Sequence, residues 1–177
     1  AALPGRLEIC VRMMDAELYE LSGRVGDALE ARKLMMAAAE SCTGGWIGQA
    51  VTMVPGSSKW FDRGFVTYTN AAKQDMLGVS AKTLEEFGAV SEQTVREMVA
   101  GALARSGAQI AVAVSGIAGP EGGSPNKPVG TVLLAWGRKG GDMQARSMRF
   151  RGDRDAVRRQ TVIAALEGML AMLGPLP

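Results

Sequence analysis

Serine, tyrosine and lysine side chains lie at turns of this chain where they could carry out acyl transfer. Ser57 and Ser58 share one tight turn, and Tyr68 and Lys73 flank the predicted start of a short helix. A serine nucleophile needs a proton acceptor, and a lysine with a lowered pKa can serve. If Asn70 caps the helix, Lys73 occupies its third position, where the helix dipole disfavours the ammonium form. On spacing alone, a surface lysine and a tyrosine at the edge of the core remain the ordinary interpretations.

The absence of histidine narrows the chemistry that this sequence can perform. None of the 177 residues is a histidine, which excludes Ser-His-Asp triads, Cys-His dyads and nearly every catalytic zinc site. Cys10 and Cys42 are too few for a tetrathiolate metal site or a disulfide framework, and they are typical of a reduced, cytoplasmic protein. We therefore expect no iron site and no structural zinc site.

Cys42 offers an alternative nucleophile, because a cysteine beside glycines at a helix N-terminus has a depressed pKa. The chain has no histidine to pair with it. A small packing residue is therefore the favoured interpretation, and a cysteine-dependent hydrolase is the weaker one.

Two glycine-rich loops follow predicted strands, and both could face one ligand. In an open α/β sheet, ligands collect beyond the carboxyl ends of the strands, and a helix N-terminus favours anions. The candidate substrate-binding residues on these loops are Glu40, Ser41, Thr43, Gly44, Gly45, Gly116, Ala118, Gly119 and Gly122. The alternative is that these residues only shape tight turns. Neither G-x-x-x-x-G-K-[ST] nor G-x-G-x-x-G is present, which argues against ATP and dinucleotides.

Hydrophobic patterning predicts helices that alternate with about five short strands. The strands are predicted at residues 34–39, 61–69, 109–115, 129–136 and 145–150. A first helix is expected from Asp15 to Arg32, and a last one after a cap at Asp153. The charged residues 153–159 are interpreted as pairing around this helix start, and an arginine that reaches a phosphate across a subunit boundary is the alternative. We predict a three-layer α/β/α sandwich with a mixed, mostly parallel sheet.

Size and charge fit one ordinary globular domain. Residues 1–13 lack clear periodicity and are interpreted as leader or appended sequence, and residues 14–177 as a single domain. With 20 basic and 18 acidic side chains, the chain lacks the electrostatic footprint of a nucleic-acid-binding protein. We expect no membrane span, because no apolar run is long enough, and a homodimer on grounds of size.

Several ordered motifs together resemble the CinA C-terminal domain family, over residues 14 to 173. They are Ala39-Glu40-Ser41-Cys42-Thr43-Gly44-Gly45, Pro55-Gly56-Ser57-Ser58, Tyr68-Thr69-Asn70-Ala71-Ala72-Lys73, Gly88-Ala89-Val90-Ser91-Glu92, Ser115-Gly116-Ile117-Ala118-Gly119-Pro120-Glu121-Gly122-Gly123 and Lys127-Pro128-Val129-Gly130-Thr131. Their order and spacing make the resemblance more specific than any single motif.

The resemblance implies hydrolysis of the carboxamide of nicotinamide mononucleotide to nicotinate mononucleotide and ammonia, as in the family's stand-alone nicotinamide-nucleotide amidases of pyridine-nucleotide salvage. It also implies that Ser58 is the nucleophile, Lys73 its base and Tyr68 the residue that aligns them, with no cofactor. Backbone N–H groups near Ser57 or in the glycine loops would stabilise the oxyanion. Those loops would bind phosphate and ribose, with Glu40 better suited to ribose.

A second hypothesis is a non-catalytic domain that binds a nucleotide or a partner. The same fold also occurs fused within larger competence- and damage-associated proteins. Because a fold does not determine a function, the resemblance leaves this alternative open.

Overall fold

The described part of the chain, residues 15–175 of a computed structural model, forms a five-stranded sheet between two layers of helices. The strands are β1 (Met36–Glu40), β2 (Phe61–Val66), β3 (Ile110–Gly116), β4 (Thr131–Arg138) and β5 (Met143–Arg149), in the sheet order β2-β1-β3-β4-β5. Strands β2, β1 and β3 run parallel, and β4 is antiparallel to both of its neighbours. Four strands therefore point the same way, which confirms the predicted mixed, mostly parallel sheet.

The helices are α1 (Ala16–Glu30), α2 (Trp46–Thr52), α3 (Asn70–Leu77), α4 (Ala81–Phe87), α5 (Glu92–Ala104) and α6 (Arg154–Leu173), with a short 3-10 turn at Ser57–Lys59. Helices α1, α2 and α6 pack together over one face of the sheet, and α3, α4 and α5 pack over the other. Each face has its own apolar core, so the three-layer α/β/α sandwich is confirmed.

Strand β1 is buried along its whole length, as expected for a central strand covered on both sides. Met36 and Ala38 belong to the core under α1, α2 and α6, whereas Ala37 and Ala39 belong to the core under α3, α4 and α5. Since side chains alternate along a strand, consecutive residues at its end must also point to opposite layers. Glu40 and Ser41 therefore point to opposite layers of the sandwich.

The cap of α3 differs from the prediction. Thr69, rather than Asn70, caps the helix, and its Oγ1 accepts a hydrogen bond from the backbone N–H of Ala72 at 3.1 Å. Lys73 is therefore the fourth helical residue instead of the third, further from the positive end of the helix dipole. A threonine and an asparagine are adjacent here and both are good caps, so the sequence did not distinguish them. The predicted cap of α6 by Asp153 is confirmed.

Within residues 15–175, no helix is both long and apolar enough to cross a bilayer. The same part of the chain contains no cluster of acidic and cysteine side chains suited to a metal ion. The interpretation of residues 1–13 as leader or appended sequence, like Cys10, falls outside the described residues. The homodimer and the cytoplasmic location remain predictions.

Candidate active site

A cavity of about 190 Å³ opens beyond the carboxyl ends of β1, β2 and β3. Its lining comes from the end of β3, the turns after the three strands, α3, the segment before α5 and the first residue of α6. The lining residues are Ser41, Cys42, Tyr68, Lys73, Ala89, Val90, Ser115, Gly116, Ala118 and Arg154. The parallel strands bring chain segments that are distant in sequence to one edge of the sheet. This is the place where an open α/β sheet is expected to bind a ligand.

Lys73 and Ser41 form the central contact of this cavity. The Nζ of Lys73 donates to the Oγ of Ser41 at 2.9 Å and to the backbone carbonyl of Thr67 at 2.8 Å. Only 1% of Lys73 is exposed, and it is among the largest fully buried side chains of the described residues. Helix α3 thus places the Lys73 amine in the protein interior, in contact with the Ser41 hydroxyl.

Burial lowers the pKa of Lys73, because removal from water penalises the ammonium form. No carboxylate is hydrogen-bonded to its Nζ among the described residues, and the acceptors it has are neutral oxygens. A neutral amine can donate one N–H to the Thr67 carbonyl and accept the Ser41 O–H with its lone pair. The geometry therefore suits a base that removes the serine proton.

Ser58 lies at the other end of the sheet and does not contact Lys73. It belongs to the exposed turn that immediately precedes β2, where the carbonyl of Trp60 accepts from Met36 N–H at the amino ends of the strands. Six residues of β2 separate this turn from Thr67, a span of about 20 Å at the rise of an extended strand. The structure therefore does not support the predicted pairing of Ser58 with Lys73 within the chain, and it brings Ser41 there instead.

The same placement removes Ser57 from the predicted oxyanion site. Its backbone N–H donates to the carbonyl of Val54 at 3.2 Å, within the turn before β2. A donor at the amino ends of the strands cannot reach a carbonyl that is attacked at their carboxyl ends. If Ser41 attacks a carbonyl, the donors to the resulting oxyanion are residues around the cavity.

Glu40 is directed away from the cavity, although the sequence placed it at ribose hydroxyls. The residue is 1% exposed, and its carboxylate accepts from Thr43 Oγ1 at 2.6 Å and from three backbone N–H groups of the loop and the first turn of α2. These donors, on Gly45, Ile47 and Gly48, are the ones that a bound phosphate would use. The predicted anion site at the start of α2 is thus filled by the protein's own carboxylate.

The loop that follows β1 is shaped by Glu40 rather than open to a ligand. Thr43 is fully buried and directs its hydroxyl to Glu40, and Gly44 and Gly45 adopt positive φ angles of 61° and 99°. These angles favour glycine and allow the sharp turn from strand to helix. Of the candidate residues on this loop, Ser41 lines the cavity, and Thr43, Gly44 and Gly45 position it.

The second glycine-rich loop reaches the cavity only through its first residues. Gly116 and Ala118 line it, whereas Gly122 is exposed and lies outside it. Gly119 has a φ of 83°, and its carbonyl accepts from Arg154. A side chain at Gly116 would come within 2.6 Å of Val132, so this glycine permits the close approach of β4.

Arg154 lies at the rim of the cavity, although the sequence singled it out only as one member of the charged cluster at the start of the last helix. Its guanidinium donates to the hydroxyl of Tyr68 and to the carbonyl of Gly119, both at 2.8 Å. Tyr68 is 58% exposed, so this pair faces solvent at the cavity mouth. The cluster of charges at residues 153–159 was the available signal, but only the fold shows which arginine of the cluster points to the site.

Cys42 lies in a buried turn that Arg158 of α6 holds in place. Arg158 donates to the carbonyls of Cys42 and Thr43 at 3.1 and 3.0 Å and stacks on Trp46, which ties α6 to the turn. Burial raises the pKa of the Cys42 thiol to about 11. A thiol that stays protonated at neutral pH is a poor nucleophile, so the packing interpretation of Cys42 is favoured.

Sequence and structure comparisons agree on one family. The family model described as the CinA C-terminal domain matches residues 18–173. The chain is 54% identical over 158 residues to the nicotinamide-nucleotide amidohydrolase PncC of Enterobacter agglomerans, covering 89% of this chain and 96% of that relative. It is 56% identical over 152 residues to the same-named protein of Pseudomonas putida, with coverages of 86% and 94%.

The fold agrees with this relationship. The crystal structure of the competence/damage inducible protein CihA from Agrobacterium tumefaciens superposes with a TM-score of 0.87 at 47% identity, over 98% of this chain and 99% of that one. The matches extend over nearly all of the described residues, including every segment that lines the cavity. The chain therefore belongs to the CinA C-terminal domain family, as its motifs indicated.

Proposed function

We propose that this protein is a nicotinamide-nucleotide amidase in which Ser41 is the nucleophile and Lys73 its general base. The observation that carries the proposal is the 2.9 Å contact between a buried lysine amine and a serine hydroxyl at a cavity. The names of the amidohydrolase relatives, which are 54% to 56% identical over most of this chain, supply the substrate. No histidine or metal ligand is needed for such a pair.

The reaction is an acyl transfer in two steps. Lys73, neutral at rest, accepts the Ser41 proton while Ser41 Oγ forms a bond to the carboxamide carbon. The tetrahedral intermediate collapses as the carbon–nitrogen bond breaks, and the Lys73 ammonium gives its proton to the leaving nitrogen, which departs as ammonia. Water then attacks the Ser41 ester, Lys73 takes a proton from that water, and Ser41 leaves with the proton as nicotinate mononucleotide forms.

The rim of the cavity suits the nucleotide part of the substrate. Ala89, Val90 and Ala118 offer small apolar surfaces beside Ser41, which fit the pyridine ring. Arg154 is exposed at the mouth and held by Tyr68, so it can pair with the phosphate that projects outward. In this proposal Tyr68 orients Arg154, in place of the predicted role of aligning a serine with Lys73.

Ammonia release measured with purified protein tests the function. We expect turnover of nicotinamide mononucleotide and a much higher KM for nicotinamide riboside, which has the same carboxamide but no phosphate for Arg154. Binding of the mononucleotide in calorimetry without any ammonia would refute the amidase and support the non-catalytic nucleotide-binding alternative. Equal KM values for the two compounds would refute only the role of Arg154.

A further inference from the structure

Ser115 is a second buried serine at the cavity, and the mechanism above does not use it. It is 1% exposed, it lies near the end of β3, and its side chain lines the same cavity as Ser41. Its hydroxyl has no hydrogen-bond partner within residues 15–175, yet it is not sealed in the core, unlike the hydroxyl of Ser22. A buried hydroxyl that faces a cavity without a partner is available to a ligand.

The sheet register fixes the position of Ser115 relative to Ser41. Glu40 pairs with Val114 in the parallel ladder, and the N–H of Ser41 donates to the carbonyl of Val114 at 3.1 Å, so Ser41 and Ser115 are adjacent across the strands. Ala113 faces the core under α3, α4 and α5, and alternation directs Ser115 to that same side. Neighbouring strands lie about 4.8 Å apart, which is close enough for both serines to contact one small group.

Lys73 lies on the β2 side of Ser41, whereas Ser115 lies on the β3 side. Its Nζ is held by the carbonyl of Thr67, which follows β2, and β2 and β3 lie on opposite sides of β1. The order across the sheet edge is therefore Thr67 with Lys73, then Ser41, then Ser115. A carbonyl attacked by Ser41 has the base on one side and the second hydroxyl on the other.

We propose that the Ser115 hydroxyl donates a hydrogen bond to the oxyanion of the tetrahedral intermediate, an inference that rests on the proposed amidase function. Lys73 must protonate the leaving nitrogen, so the nitrogen departs on the Lys73 flank. The carbonyl oxygen then turns toward the β3 flank, where Ser115 offers an O–H donor. The bond strengthens as charge develops on the oxygen, which is the requirement for a donor that lowers the barrier.

The test compares wild type, Ser115→Ala and the control Ser22→Ala, which removes a fully buried hydroxyl from the opposite core. We expect Ser115→Ala to lower kcat for nicotinamide mononucleotide by about 100-fold with KM nearly unchanged, as for loss of one oxyanion donor. Ser22→Ala should keep the wild-type kcat. If Ser115→Ala unfolds, Ser115→Cys, a weaker donor of similar volume, replaces it, with an expected loss of at least about tenfold.

A substrate analogue with an aldehyde in place of the carboxamide provides a second readout, because its hemiacetal with a serine mimics the intermediate. Wild type should bind it far more tightly than substrate, and Ser115→Ala should lose about the same factor in affinity as in kcat. An unchanged kcat, or equal losses in kcat and in substrate affinity, would overturn the role of Ser115. No ammonia release by wild type would instead refute the amidase itself.

Discussion

The Ser41 turn and the Ser58 turn each place a serine near glycine, and of these two turns only the Ser41 turn is at the cavity. The Ser41 turn leaves the carboxyl end of β1 beside buried Lys73, and the Ser58 turn precedes the amino end of β2 on an exposed surface. Their local sequences both permit a nucleophile. What separates them is the direction of the parallel strands, which gathers one set of turns at the ligand-binding edge and the other set at the opposite edge.

Replacing each serine in turn gives the largest expected effect. Ser41→Ala should lower ammonia release from nicotinamide mononucleotide at least about 10⁴-fold, because no other hydroxyl or thiol of the described residues is hydrogen-bonded to Lys73. Ser58→Ala should stay within about twofold of wild type, since exposed substitutions distant from a site rarely matter. An inactive Ser58→Ala together with an active Ser41→Ala would instead identify Ser58 as the nucleophile.

Removing the amine of Lys73 should cost about 10³-fold in kcat, within the range for a general base. Lys73→Met keeps the length and apolar stem of the side chain, and Lys82→Met, on the exposed surface of α4, is the matched control. Because burial lowers the pKa of Lys73, the wild-type rate should fall as pH decreases through that lowered pKa, where the amine becomes ammonium. A rate that rises on acidification would contradict a neutral base.

The lowered pKa of Lys73 also predicts that the free energy of unfolding depends on pH. Between the lowered folded pKa of Lys73 and its unfolded value near 10.5, the unfolded chain holds a proton that the folded chain lacks. The free energy of unfolding contributed by this group should therefore increase with pH across that window, and Lys73→Met should lack the increase. Urea unfolding of both proteins over the window measures the difference, and identical slopes with pH would argue against the shift.

Glu40 should contribute to the free energy of unfolding by holding the turn that carries Ser41. Glu40→Gln replaces an acceptor oxygen with an NH₂ group that faces backbone donors, so we expect a loss of about 3 kcal/mol in the free energy of unfolding. Glu86→Gln, exposed on α4, should be neutral within about 0.5 kcal/mol. Equal stabilities of the two variants in urea would show that Glu40 does not hold the turn.

Arg154 gives the smallest effect on turnover. Arg154→Ala should raise the KM for nicotinamide mononucleotide about tenfold and leave kcat near wild type, because a phosphate contact at the rim binds substrate and transition state equally. The exposed neighbour Arg151 provides the control Arg151→Ala. A fall in kcat with unchanged KM would assign Arg154 to the chemistry instead of to binding.

The sequence was sufficient for the fold because its signals were local. Apolar runs marked the central strands, glycines and caps marked the turns, and the resulting order of helices and strands leaves few topologies. Lys73 was a candidate base from the sequence because the chain has no histidine, although spacing alone favoured a surface lysine. The structure buries this side chain instead. These inferences depend on composition and on spacing within a few residues.

The contacts that form the site join residues far apart in the sequence, so local spacing did not predict them. Ser41 is 32 residues from Lys73, and Arg154 is 86 residues from Tyr68. The role of Glu40 was hidden for another reason, because a carboxylate after a strand fits a ribose contact as well as a helix cap. Only the pleat, which sends Glu40 and Ser41 to opposite layers, separates the two roles.

A covalent probe tests the central claim most directly. A nicotinamide mononucleotide analogue with a sulfonyl fluoride in place of the carboxamide places an electrophile where the substrate carbonyl would bind, and peptide mapping by mass spectrometry locates the label. We expect the label on Ser41, with labelling abolished in Lys73→Met. Label on Ser58, Cys42 or Ser115 in place of Ser41 would contradict the account.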